Sequence, residues 1–146
     1  MILASISSFI TRIEIYAFAY ICESIYSYIM TIQPNQLFQL LSDETRLRSL
    51  LLLQQEGELC VCELMYALNI SQPKVSRHLA MLRDAKMVTS CRQGQWVYYQ
   101  IHRDLPKWVL QIIDATTANT QEQEPFNQDQ AALAGMPNRP NAACCA

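Results

Sequence analysis

The most constraining stretch of this 146-residue chain runs from Ser71 to Ile101. Ser71 is a good helix N-cap, and Pro73 is tolerated in a first helical turn. Val75, Leu79 and Leu82 then recur at i, i+4 and i+7, which predicts a helix to about Ala85 with one core-facing stripe. Two β-prone runs follow at once, Met87–Arg92 and Gln95–Ile101, on either side of Gln93-Gly94. Such runs about a glycine-containing turn predict a β-hairpin.

The preceding residues are helical in pattern. Leu37, Leu40 and Leu41 are helically spaced, and Ser42 or Asp43 caps a second helix through Leu50–Leu53 that ends near Gly57. Cys60–Leu68 forms a third, short helix, and Asn69-Ile70 a turn. Beyond the hairpin, Leu105 to about Ala118 carries an apolar stripe at Trp108, Val109, Ile112 and Ile113. Helix, short turn, helix, then hairpin is a winged helix-turn-helix, so the expected class is mainly α with a small β-hairpin. The expected domain spans residues 33–118. Residues 119–146 turn to Gln, Asn, Ala and Pro and are expected to form a flexible tail carrying Cys144 and Cys145.

Charge points to a polyanionic partner. The chain is 51% hydrophobic and 16% charged, too apolar to be disordered, and its formal net charge is −2. Yet residues 74–107 hold seven Lys and Arg against two acids, a local balance of +5 in a chain that is otherwise −7. A basic segment in an acidic chain suits one face made for a polyanion. In a helix-turn-helix the second helix enters the major groove of double-stranded DNA. Its outward candidates are Ser71, Gln72, Lys74, Ser76, Arg77 and His78, with Met81 beside them. Gln and Arg suit bidentate contacts to adenine and guanine, whereas Lys and hydroxyls suit phosphates. Arg92, Gln93 and Gln95 at the hairpin tip are placed for backbone or minor groove. His78 has a second reading, as a hydrogen-bonding residue within the fold.

Residues 1–32 form an N-terminal extension. The first 29 are rich in Ile, Tyr, Phe and Ser, without the basic and apolar regions of a secretory signal. Arg12, Glu14 and Glu23 interrupt them too often for a membrane anchor, and an amphipathic helix would hold its apolar face poorly. Ile, Tyr and Phe are residues that AT-rich codons encode. The expectation is that the true start is Met30 and the preceding residues are upstream DNA read in frame. With no run of about 20 uncharged apolar residues, no membrane span is expected.

The six cysteines lie at 22, 60, 62, 91, 144 and 145. Near-adjacent pairs bridge each other poorly, so reduced cytoplasmic thiols awaiting a soft ligand are expected rather than a disulfide scaffold. Residues i and i+2 do not share a helix face. Cys60 and Cys62 therefore point apart in an ideal helix, unless Cys60 precedes the helix or a ligand distorts the first turn. Cys91, in a hairpin strand, reads as a packing residue.

Ser71-Gln72-Pro73-Lys74-Val75-Ser76-Arg77-His78-Leu79, with Asp43–Arg48 before it and Trp96-Val97-Tyr98-Tyr99 after it, resembles the ArsR/SmtB metal-sensing repressors across about residues 33–115. Glu58–Leu64 resembles the thiol box of the arsenical repressors within that family. The resemblance implies a homodimer built on the first and last helices. It further implies a promoter dyad as operator and release when trivalent arsenic or antimony binds Cys60 and Cys62. As(III) or Sb(III) is then an inducer, and no cofactor is required.

One departure stands out. Many arsenical repressors carry a third Cys where this chain has Met65, a residue expected to pack the core. The third sulfur is expected from Cys144 or Cys145, since a free 28-residue tail has an r.m.s. reach of roughly 30 Å. Cys22 would join the pair in the manner of cadmium/lead-sensing relatives, the alternative reading. A thiol-redox-sensing repressor is a further alternative. His102 lacks partners for a zinc site, and residues 105–118 offer one acid, Asp114. No catalytic constellation is recognisable, so the chain reads as a non-enzyme.

Overall fold

The computed structural model describes residues 32–140. The calls on Met30, Cys22, Cys144 and Cys145 lie outside the described residues. The elements are α1 (Pro34–Leu41), α2 (Glu44–Glu56), β1 (Glu58–Cys60), α3 (Val61–Leu68), α4 (Gln72–Asp84), β2 (Val88–Gln93), β3 (Trp96–Ile101), α5 (Lys107–Thr120) and α6 (Phe126–Ala134).

The helix boundaries follow from local chemistry. Asp43 is the N-cap of α2, accepting from the Arg46 amide at 2.9 Å. Ser42 instead closes α1, its hydroxyl donating to the Gln39 carbonyl at 2.8 Å. Gly57, at φ 82°, stops α2 in a conformation that costs a glycine nothing. Asn69, at φ 52°, ends α3 in the left-handed region. Asn tolerates that region better than most residues.

Four consecutive leucines, Leu50–Leu53, are all buried, so this turn of α2 is covered on every side. A turn apolar all round belongs at the centre of a core. α1, α3, α4, α5, α6 and the sheet all pack against α2. Leu59, Leu64, Leu79, Leu82, Val109, Ile113 and Leu133 complete the core.

The hairpin is present, and it gains a third strand. Order β1-β3-β2 is antiparallel throughout, with Cys60 opposite Tyr98 and Cys91 opposite Tyr98 from the other side. The turn residues are Gly94 and Gln95, with positive φ at Gly94 alone of the two. That is the arrangement of a II′ hairpin, which suits the twist of its strands. β1 is too short to show any period in the sequence, and its pairing with β3 is decided by tertiary contact.

The flexible tail is corrected over residues 119–140. α5 continues to Thr120, and α6 packs against α3 and α2 with Leu133 fully buried. The winning interaction is electrostatic as well as apolar. Asp129, 2% exposed, takes two hydrogen bonds from Arg48 at 2.5 and 2.8 Å. No helix among the described residues is long and apolar enough to cross a membrane.

Candidate nucleic-acid interface and thiol site

α3 and α4, joined through Asn69-Ile70-Ser71, form the helix-turn-helix, and β2–β3 form the wing. α4 buries Val75, Leu79 and Leu82 on one side. Gln72, Lys74, Arg77 and Met81 are exposed on the other, with Ser71 at the N-cap also exposed and Ser76 half-buried. Thirteen residues make a helix of about 20 Å, and its bare side fits a major groove about 12 Å wide. Arg92, Gln93 and Gln95 are exposed at the wing tip, and Arg92 Nε donates to the Gly94 carbonyl at 3.1 Å. That bond steadies the turn and leaves the rest of the guanidinium facing solvent.

His78 is corrected out of this face. It is 8% exposed, and its Nδ1 lies 3.4 Å from Asp43 Oδ1. Burial lowers its pKa; the Asp43 carboxylate opposes that, while Arg46, Arg77 and Lys74 reinforce it. His78 therefore lies between α4 and the start of α2, its pKa held below the ordinary imidazole value chiefly by burial. Partial burial pushes the Asp43 carboxyl up, but the Arg46 amide and the charges of His78 and Arg46 outweigh it and hold the pKa down. Arg46 spans the same junction, donating to the Leu40 and Gln39 carbonyls at 2.7 and 2.9 Å and to Met81 Sδ at 3.8 Å. The DNA-facing helix is thus anchored to α1 and α2 by one buried arginine.

The thiol box lies where β1 passes into α3. Cys60 is the N-cap of α3, with extended φ −83° and ψ 164°, and only the residues after it are helical. This resolves the geometry of the C-x-C pair. The extended residue turns its side chain back over the first turn, and the Cα atoms of Cys60 and Cys62 are 5.4 Å apart. The two sulfurs meet as a disulfide in this structure. The expectation that near-adjacent cysteines bridge poorly is corrected for this pair, because it straddles a helix boundary rather than lying inside a helix. Cys60 is fully buried and Cys62 partly so.

Glu63 holds this corner together. It is 2% exposed; its Oε2 accepts from the Cys60 amide at 2.7 Å and its Oε1 from Arg139 Nε at 2.5 Å. Arg139 also donates to Glu56 at 2.8 Å, and its pKa is raised by these partners, the Glu63 bond foremost. Sequence reasoning missed Glu63 and Arg139. The available signal was Arg139 itself, the lone basic residue after Lys107 in a stretch otherwise of Gln, Asn, Ala and Pro.

Met65 packs against the core as expected. Cys91 Sγ lies 3.8 Å from Glu58 Oε1, two strands from Cys60 with Tyr98 between them. His102 Nδ1 accepts from the Asp104 amide at 3.1 Å, and Asp114 Oδ1 accepts from Gln54. Among the described residues, no group of three or more His, Cys, Asp or Glu is placed to hold a metal ion.

Residues 43–90 match the model of the bacterial regulatory protein family arsR. The arsenic resistance transcriptional regulator ArsR2 of Pseudomonas putida is 51% identical over 118 residues, covering 78% of this chain and 99% of its own. The chain belongs to the arsR family. The arsenical resistance operon repressor of Escherichia coli K12 is likewise 51% identical over 89 residues, covering 61% of this chain and 76% of its own. Among solved structures, the AntR antimony-specific transcriptional repressor superposes with a TM-score of 0.51 at 32% identity, covering 60% of this chain and 77% of that one. The arsR-family chain is a transcriptional repressor with a winged-helix fold, and its helix-turn-helix is a DNA-binding unit.

Proposed function

We propose that this arsR-family repressor responds to trivalent arsenic or antimony captured by Cys60 and Cys62, and that capture releases a promoter dyad bound by a homodimer. The observation that carries the reading is the extended N-cap at Cys60, which turns both sulfurs of the C-x-C pair onto one spot at the root of α3. Thiolates are soft donors and select soft ions. The names of the relatives, arsenic resistance and antimony specificity, point to the same inducers. α3 is the first helix of the helix-turn-helix, so an ion seated on its first turn bears on the helix that faces DNA. Couplings of this kind are typically about 1–3 kcal/mol, roughly 5–150-fold in affinity. The exposed Phe38 on α1 suits a helix that meets a second copy.

The test is fluorescence anisotropy of the full chain on its own upstream DNA, titrated with arsenite, antimonite and cadmium under thiol reductant. Release by stoichiometric arsenite or antimonite, lost in Cys60→Ser with Cys62→Ser while DNA binding persists, is the expected result. Normal release in the double variant overturns the reading. The pairing of the two sulfurs favours a second reading, a thiol-redox repressor. Release by peroxide with indifference to arsenite would establish that one, and release by cadmium alone would favour the cadmium/lead alternative.

A further inference from the structure

We propose that Glu63 is the positioning residue of the thiol pair, and that Arg139, on the C-terminal arm beyond α6, holds it to that task. The proposal rests on the capture of metalloid at Cys60 and Cys62. What matters at Cys60 is its backbone. Residues i and i+2 do not share a helix face, so an α3 that began before Cys60 would part the two sulfurs. Glu63 prevents that. Third in α3, it completes a capping box by accepting from the Cys60 amide at 2.7 Å, which fixes Cys60 as the extended residue ahead of the helix.

A capping box at a protein surface needs nothing more. Here Glu63 is 2% exposed, and a buried carboxylate is costly unless it is paired. The partner comes from 76 residues away: Arg139 Nε donates to Oε1 at 2.5 Å, so each carboxylate oxygen has a defined donor. The same guanidinium donates through Nη2 to Glu56 at 2.8 Å. Glu56 is the last residue of α2, and Glu63 lies in the first turn of α3. Arg139, five residues past the end of α6 at Ala134, therefore bridges the two sides of the segment 57–62 that carries both cysteines. That segment opens at Gly57, φ 82°, a residue type that bends freely. From the sheet side it is held by β1 pairing with β3, Cys60 opposite Tyr98. Strand and arm grip the thiol segment together.

Neither Glu63 nor Arg139 touches a reacting atom. A thiol reductant first supplies two electrons and two protons to the Cys60–Cys62 pair. Arsenite then exchanges two hydroxides for two thiolates. Each thiol proton leaves with a hydroxide as water, two As–S bonds form, and arsenic keeps its oxidation state. Glu63 acts only on how closely the sulfurs are held, so it acts on disulfide formation as it does on capture.

The experiment uses the full chain and two readouts. Anisotropy on upstream DNA under thiol reductant gives the arsenite concentration that releases it. Equilibration in glutathione buffers, then alkylation and mass spectrometry, gives the potential of the pair from the tryptic peptide 49–74, whose only cysteines are Cys60 and Cys62. Glu63→Ala should need on the order of 10–100-fold more arsenite. Its disulfide should be about tenfold easier to reduce, a rise of roughly 30 mV. Arg139→Gln changes a residue whose side chain is 32% exposed, so the fold should survive it. It should move both readouts the same way by less, and Arg139→Lys should recover part of the loss. DNA binding without arsenite should match wild type in all three. Unchanged release and potential in Glu63→Ala and Arg139→Gln overturn the proposal. So does a higher arsenite demand at an unchanged potential, which would put Glu63 in transmission to α4 instead. Arsenite release that survives Cys60→Ser with Cys62→Ser overturns the capture reading beneath it, and the potential then still decides whether Glu63 holds the sulfurs.

Discussion

The two ends of the helix-turn-helix are built on opposite principles. The α4 face shows Gln72, Lys74 and Arg77 to solvent, on a helix whose other side is fully packed. The thiol corner at the start of α3 is closed: Cys60 and Glu63 are buried, and Glu63 is bonded from two directions. DNA recognition needs charge held ready on a rigid frame, because the ligand arrives from outside and brings its own water and ions. Capture of a small soft ion, the role proposed for the thiol corner, needs the reverse. Its donors must be held in a defined geometry, and the strain of binding must be passed to neighbours rather than absorbed by solvent. α3 links the two, with its first turn in the closed corner and its last turn leading directly into α4.

The comparison can be broken most severely at the buried ion pair behind it. Asp129→Ala leaves Arg48, mostly buried, with its main partner removed, since Asp129 holds the guanidinium by two bonds and raises its pKa. Removing one partner of a buried pair costs about 3–5 kcal/mol. The thermal midpoint should fall and α6 should lose its hydrogen-exchange protection. Preserved protection of α6 would show that its apolar contacts suffice. At the open face the effect is smaller and of another kind. Arg77→Ala should weaken operator binding by about 1–3 kcal/mol and blur sequence preference. An unchanged binding isotherm would remove Arg77 from the groove. Lys74→Ala should weaken binding evenly across sequences and lower the salt slope by about 1. A change in sequence preference instead would make Lys74 a base reader.

The smallest expected effect sharpens the boundary at His78. Its folded pKa lies below the unfolded value of 6.5, chiefly through burial. The unfolded chain therefore binds more protons in that window. The neutral imidazole's contribution to stability is complete above pH 6.5 and is lost as pH falls towards the lower, folded value. His78→Gln should flatten stability as pH falls below 6.5, measured by urea unfolding at several pH values. The same variant should leave operator binding at pH 7.5 within about twofold, because a residue facing inward is not a phosphate contact. A larger loss would return His78 to the DNA face.

Much of this division is legible along the chain. The stripe Val75, Leu79, Leu82 leaves Lys74 and Arg77 on the other side whatever else the fold does. The glycine turn and the β-prone runs place Arg92 and Gln93 at a wing tip by local geometry alone. His78 was ambiguous because it adjoins Leu79 at the edge of the stripe, and only its approach to Asp43 decides its direction. Cys60 was ambiguous for a similar reason. A residue at a helix boundary belongs to two periodicities, and β1, three residues long, shows neither.

The C-terminal segment is where local reading had least to hold. Gln, Asn, Ala and Pro carry weak periodicity, and Leu133 is a single deeply buried anchor. Beside Leu133, with Phe126 and Met136 packed against the core, the segment is held by two long-range ion contacts, Arg48 with Asp129 and Arg139 with Glu63, separated by 81 and 76 residues. By itself, then, the sequence determined the helix-turn-helix, the wing, the basic face and the C-x-C box, because each depends on residues within a few positions of one another. The third strand, the inward turn of His78 and the docking of the C-terminal arm were decided only in the tertiary structure. Each joins groups whose attraction is felt only once the chain has folded and water has been excluded from between them.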